Sequence, residues 1–222
     1  MKLENLYESI MNKGITAIEN NKEYVDSLIE DKTDTRMGIT LAIRPSENLK
    51  KEIMNIERKI REVENNQYYY PENDYHITLL DIITARQGFI YTTEQVENCK
   101  KITINAVKDL KQFEIKLKGV IASDGAIMVK GFYEVEMELL RQRLRQSILD
   151  NNMNLDERYP TISSHITIAR FKNKIQERKG LIEILKEYEN YDFGTLKVSE
   201  IELIYHNWYD SKKEVLEKYI IK

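Results

Sequence analysis

Tyr75-His76-Ile77-Thr78-Leu79-Leu80 returns, 89 positions on, as Ser164-His165-Ile166-Thr167-Ile168-Ala169, in a chain with only three histidines. Two of the three therefore occupy one pattern, His-x-Thr-apolar, each inside a short apolar run with the character of a strand. With threonine at roughly one residue in twenty, coincidence yields such a pair only about once in a thousand chains. Side chains alternate between the faces of a strand, so His76 and Thr78 share one face and Ile77 and Leu79 the other. His165 and Thr167 stand in the same way against Ile166 and Ile168. Each motif offers an imidazole and a hydroxyl on one side and anchors itself through its apolar side.

Outward from the first motif, the pattern alternates between helix and strand. Residues 39–43 read as a strand ending at Pro45, and Ser46 can cap the helix that follows, with Leu49, Ile53, Ile56, Ile60 and Val63 on one stripe. The motif strand covers residues 75–83, and a helix follows over 94–110. Residues 113–120 and 126–130 form a hairpin about Ser123-Asp124-Gly125, where Asp-Gly can supply positive backbone angles. A helix over 134–151 carries Met137, Leu140, Leu144 and Ile148 on one stripe. After a loop at 154–160, the second motif strand runs over 162–171, then a helix at 175–188 and strands at 196–205 and 215–221. Each motif strand thus has its own strand and flanking helices, as in an internally duplicated chain.

The first 33 residues read as an N-terminal helical extension, two amphipathic helices broken near Gly14. Leu3, Leu6, Tyr7 and Ile10 line one, and Tyr24, Val25, Leu28 and Ile29 the other. Residues 34–222 form the main domain. The apolar stripes of the extension make it a candidate contact for a partner or a second copy of the chain.

The chain has 222 residues, 41% hydrophobic and 32% charged, enough for one domain of generous size with a real core. No apolar run is long enough to cross a bilayer, and the first residues lack the layout of a secretory signal, so no membrane association and a cytoplasmic location are expected. A single cysteine, Cys99, excludes an internal disulfide and a thiolate metal site. The net charge of −3 offers no broad footprint for long nucleic acids. The basic stretch Arg141-Gln142-Arg143-Leu144-Arg145 reads as a solvated helix face. With 8 glycines and no glycine-rich loop, a backbone phosphate cradle is not expected.

Should the two halves pack about a pseudo-twofold axis, both imidazoles and both hydroxyls face one volume. The hydroxyls can then bind nonbridging phosphate oxygens while one imidazole takes a proton and the other gives one. That is phosphodiester chemistry without a metal or cofactor, suited to histidine because its ordinary pKa lies near neutrality.

At these residues the chain resembles the two-histidine (2H) phosphoesterase superfamily, LigT-like and cyclic phosphodiesterase type, whose signature is a repeated His-x-Ser/Thr-x motif. The resemblance extends over about residues 36 to 222. It implies an α+β fold in two pseudo-twofold lobes, with antiparallel sheets lining a central cleft and helices outside. It also implies His76 and His165 as acid and base and Thr78 and Thr167 as phosphate ligands. Asp81-Ile82-Ile83 departs from the Phe-Leu-Gly that follows the first motif in many LigT-like relatives.

The expected function is a metal-independent phosphodiesterase for a small nucleotide or short ribonucleotide, bearing a 2′,3′-cyclic phosphate, a 2′-5′ linkage or a cyclic oligonucleotide linkage. A different reading is a noncatalytic nucleotide or RNA-end binding module using the same cleft. Tyr75, beside His76, and Arg170, two residues beyond Ile168, are candidate substrate contacts, although alternation places Arg170 on the Ile166 side. His206 lacks a threonine two places on and reads as a surface or turn residue. A zinc site of His76, His165 and His206 would leave the repeated threonine without a role, so no metal is expected.

Overall fold

The two motif strands lie side by side at the centre of one curled antiparallel sheet. In the computed structural model, which describes residues 3–157 and 160–222, the chain order begins with α1 (Leu3–Glu19), β1 (Arg36–Ile43) and α2 (Glu47–Val63). It continues with β2 (Tyr68–Tyr69), β3 (Ile77–Gln87), α3 (Thr93–Val107), β4 (Phe113–Ala122), β5 (Ala126–Tyr133) and α4 (Val135–Asp150). It closes with β6 (Ile166–Arg170), α5 (Arg178–Glu187), β7 (Asp192–Val198), β8 (Glu200–Asn207) and β9 (Lys213–Ile220). Residues 1–2 of the expected extension and 158–159 of the expected 154–160 loop lie outside the described residues.

The sheet order is β7-β4-β5-β6-β3-β1-β8-β9, with β2 pairing on β6. Four strands flank each side of the central β6–β3 junction, which is the duplication read from the motifs. Ser199 alone joins β7 to β8, although six inter-strand steps separate them in the order. Flat, those steps would span about 29 Å at ~4.8 Å per strand. One intervening residue reaches only about 7 Å, so the sheet must curl until its β7 edge approaches β8. Helices α1, α2 and α5 pack with one another and against β4, β7 and β6, while α3 and α4 pack together against β9 and β3.

Local chemistry explains most elements. Leu49, Ile53, Ile56 and Ile60 of α2 are buried as their spacing predicts, and Thr92 and Gln95 close a reciprocal capping box on α3. Ser46 stands at the N-cap of α2 but its side chain makes no capping bond. The hairpin turn differs from expectation, because neither Asp124 nor Gly125 has a positive φ. The Ser123 hydroxyl instead accepts from the amides of Gly125 (3.2 Å) and Ala126 (3.0 Å) and holds the turn. The run 196–205 is two strands rather than one, broken at Ser199 and shared between opposite ends of the sheet.

The N-terminal segment also departs from its expected form. One helix, α1, runs straight through Gly14, and residues 20–35 form turns and extended chain rather than a second helix. Gly14 is where α1 touches the sheet: a Cβ there would lie 2.2 Å from the Ala122 carbonyl oxygen. Tyr7, Met11, Ile18 and Ile29 belong to the same core as the sheet, so this segment packs as part of the domain rather than apart from it. No helix among the described residues is long and apolar enough to cross a membrane.

Candidate active site

Strands β3 and β6 meet at a single antiparallel pair, Ile77 opposite Ile166. One step along in each direction sets His76 opposite Thr167 and Thr78 opposite His165. Ile77 and Ile166 are fully buried and point into the core, so the four flanking residues point the other way, onto one face about the pseudo-twofold axis. Among the described residues neither threonine hydroxyl has a hydrogen-bond partner. Both are therefore free to donate to a ligand.

Two β-bulges then add a charged residue to each motif. In β6 the pairing with β5 steps from Thr167–Met128 to Ala169–Ile127, leaving Ile168 over. In β3 the pairing with β1 steps from Thr78–Ala42 to Leu80–Leu41, leaving Leu79 over. An extra residue shifts the alternation by one place and re-aims the side chains beyond it. Arg170 and Asp81, each five positions after its histidine, so return to the face of the histidines. Burial agrees: Ile168, Ala169, Leu79 and Leu80 are buried, whereas Arg170 and Asp81 are half-buried like the histidines and threonines. The placement of Arg170 by simple alternation is thereby corrected. Its Nε donates to the Tyr70 hydroxyl (2.9 Å) and its guanidinium lies 5.3 Å from the centre of the Trp208 ring.

The two imidazoles sit in unlike surroundings. His76 Nδ1 lies 2.9 Å from the Asp74 carbonyl oxygen, which can only accept, so in the neutral ring Nδ1 carries the proton and Nε2 the lone pair. Asp210 stands behind it, Oδ2 3.8 Å from Nδ1. His165 Nδ1 lies 2.9 Å from the Ser163 hydroxyl, which donates or accepts and leaves the tautomer open. Burial pushes both rings down to about 4; at His76 the Asp210 carboxylate opposes it while Arg44 and His206 add to it, and at His165 the charges of Arg170, His76 and Arg141 add to it. Each motif thus holds a neutral imidazole at pH 7, one with a carboxylate behind it and the other among cations.

Arg141 was expected on a solvated face, yet it is only 2% exposed and bridges the two motifs. It donates to the carbonyls of Thr78 (3.0 Å) and Leu79 (2.8 Å) in β3 and to those of Ile162 and Ser163 (both 2.7 Å) ahead of β6. Its remaining donor reaches the Tyr133 hydroxyl at 3.2 Å. No carboxylate balances it among these partners, so it spans the gap where β3 and β6 diverge and leaves a net positive charge beside His165. The signal was present in the sequence, since 137, 141, 144 and 148 also follow helical spacing. From the N-terminal side, the Tyr7 hydroxyl accepts from Ser164 N (3.0 Å) and donates to Gly131 O (2.9 Å), fixing the backbone next to His165.

Two further expectations are corrected. Tyr75 is fully buried on the side opposite His76, its hydroxyl bonded to Glu57, and so cannot touch a ligand on the histidine face. His206 is buried rather than on the surface, its ring centre 5.9 Å from that of His76. Among the described residues no group of three or more His, Cys, Asp or Glu could hold a metal ion.

This face offers two imidazoles, two free hydroxyls and a guanidinium around one volume, a set able to bind a phosphate and move protons on either side of it. The fold is similar to that of TT0787 of Thermus thermophilus, with 17% identity, 83% of this chain and 97% of that one covered, and a TM-score of 0.65. It is also similar to E. coli LigT complexed with 3′-AMP, at 12% identity, 85% and 99% coverage and a TM-score of 0.58. ATU0111 of Agrobacterium tumefaciens C58 matches at 12% identity, 92% and 99% coverage and a TM-score of 0.56. A family model described as the AKAP7 2′5′ RNA ligase-like domain matches residues 39–215, and the chain belongs to that family, within the 2H phosphoesterase superfamily.

Proposed function

We propose that this protein is a phosphodiesterase that cleaves a small ribonucleotide diester by paired-histidine acid–base catalysis, without a metal. The observation that carries the reading is the Ile77–Ile166 register, which sets both histidines and both threonines on one face. The nucleotide class is supported by the fold relative E. coli LigT, which has been crystallised with 3′-AMP, ATP, NADP+ and phosphate. Candidate linkages are a 2′,3′-cyclic phosphate, a 2′-5′ bond and a cyclic oligonucleotide.

The diester anion lies between the imidazoles, its nonbridging oxygens accepting from the Thr78 and Thr167 hydroxyls and from Arg170. The proton taken up from solution on binding resides on His76, the ring of the two that a carboxylate, Asp210, faces. His165 is then the neutral base. For a cyclic phosphate, His165 takes a proton from water as its oxygen attacks phosphorus. The phosphorus–ribose oxygen bond breaks, and that oxygen takes the proton of His76. With an adjacent 2′-hydroxyl as nucleophile, the same two transfers leave a cyclic phosphate as product. A positioned acid or base contributes about 10²–10⁴-fold.

Turnover of a panel of 2′,3′-cyclic mononucleotides, 2′-5′ dinucleotides and cyclic oligonucleotides in excess EDTA tests the reading. His76→Ala and His165→Ala are each expected to lose about 10²-fold or more in kcat. Activity that survives either change refutes it. Tight stoichiometric binding with no product after long incubation assigns the cleft to a noncatalytic nucleotide-binding role instead.

A further inference from the structure

A buried polar chain runs from Asp81 to His76 under the first lobe. The Thr40 hydroxyl donates to Asp81 Oδ1 (2.7 Å) and lies 2.9 Å from His206 Nε2. With its one proton directed at Asp81, Thr40 accepts from His206, so Nε2 of that ring is protonated. The other ring nitrogen, Nδ1, lies 3.2 Å from Asp210 Oδ1. Both atoms are buried, and neither makes a hydrogen bond among the described residues. His206 and Asp210 are in direct contact inside the core.

Asp210 is completely buried and is faced from every element around it. Arg44, just after β1, binds Oδ2 at 2.5 Å, and Lys213 at the start of β9 lies 3.2 Å from the same oxygen. Lys213 also holds Asp74 (2.6 Å), and Arg44 holds Glu202 (2.9 Å). His206 approaches Oδ1 from β8, while His76 approaches Oδ2 from the start of β3. Among the described residues the second lobe has no counterpart, since His165 is met by Ser163, Arg141 and Arg170.

We propose that Asp210 and His206 are positioning residues for His76: one buried carboxylate is shared between two imidazoles, so that Asp210 draws the proton onto His76 and His206 moderates that pull. This deepens the paired-histidine reading and rests on it. The arrangement makes the two otherwise equivalent motifs unequal, because the proton has a preferred ring. His206 meets Asp210 at Oδ1, the oxygen other than the one nearest His76, while Arg44 and Lys213 hold the carboxylate at Oδ2.

The test uses variants that move His76 in opposite directions. Histidine NMR titrations of the full chain, with and without sulfate as the anion probe, give the His76 midpoint in wild type, Asp210→Asn and His206→Asn. Asp210→Asn is expected to lower it by about one pH unit or more, and His206→Asn to raise it by roughly half a unit. The acid limb of the kcat profile follows the same signs, with smaller changes in KM. General loosening of the site would move both variants the same way, and shifts of one sign, or none, overturn the proposal. Should Asp210→Asn fail to fold, His206→Asn and His206→Gln decide it: an unchanged or lowered His76 midpoint in both refutes it. The titration needs no turnover, so absence of activity in the wild type would refute the catalytic reading while the opposite shifts still establish the shared carboxylate.

Discussion

Binding of a phosphodiester should draw a proton out of solution. Burial holds both imidazoles down to about 4, so at pH 7 neither carries the proton that a general acid must give. Two unit charges about 4 Å apart interact by about 4 kcal/mol at an effective dielectric constant of ~20. One pKa unit corresponds to about 1.4 kcal/mol, so a bound anion lifts an adjacent imidazole by about three units. That carries one ring from about 4 to roughly 7, the range in which it works as an acid. The second ring feels the first one's new charge and stays neutral. Calorimetric titration with a deoxydinucleotide, whose diester does not titrate near neutrality, in buffers of differing ionisation enthalpy reads the uptake directly. The expected value approaches one proton per ligand at pH 6, about half at pH 7 and close to none above pH 8.5. Confirmed binding with no proton uptake at pH 6, or histidine midpoints near 6.5 in the free protein, would refute the reasoning.

Replacing Arg141 by Met strands four backbone carbonyls that its guanidinium now satisfies; a loss of about 3 kcal/mol or more in urea unfolding is expected, with Arg141→Lys intermediate. Glu57 is raised to about 7 by burial, so its ordinary unfolded value near 4.5 makes the wild type fully stable in this respect only below that pH. Its contribution is lost as pH rises through 7, by about 3 kcal/mol at most. Glu57→Gln should therefore gain on the wild type between pH 5 and 8.5 in denaturant midpoints, and a parallel pH dependence of the two proteins would contradict the assignment. The two histidines act in the opposite sense: neutral burial is favourable above pH 6.5, and that stability is lost as pH falls towards 4, by up to about 3 kcal/mol per ring.

What was legible in the sequence is what a few neighbouring residues decide. The apolar spacing of Leu49, Ile53, Ile56 and Ile60 suffices for α2, and period-two alternation suffices to put His76 with Thr78 and His165 with Thr167. The repeat was enough to show the duplication and to select the six-residue spans that matter. Asp81 and Arg170 stand at the same offset from their histidines, so the repeat runs further than the tetrapeptides, but alternation turns both the wrong way. Only the bulges at Leu79 and Ile168 turn them back, and a bulge exists only relative to the neighbouring strand. Gly14 misled for a related reason. Inside a helix it reads as a break, whereas its role is to let α1 touch Ala122 more than a hundred residues away.

The amino-acid order thus determined the chemistry on offer, two imidazoles and two hydroxyls on matched strand faces, because side-chain direction within a strand is a property of a few consecutive residues. The tertiary structure decided how those faces are aligned, through the single Ile77–Ile166 pair, and what stands behind each ring. Asp210 and His206 come from a hairpin more than 125 residues beyond His76, and Arg141 from a helix between the motifs. Register, bulges and buried charge partners depend on which distant segments share the core, and no local pattern carries that information.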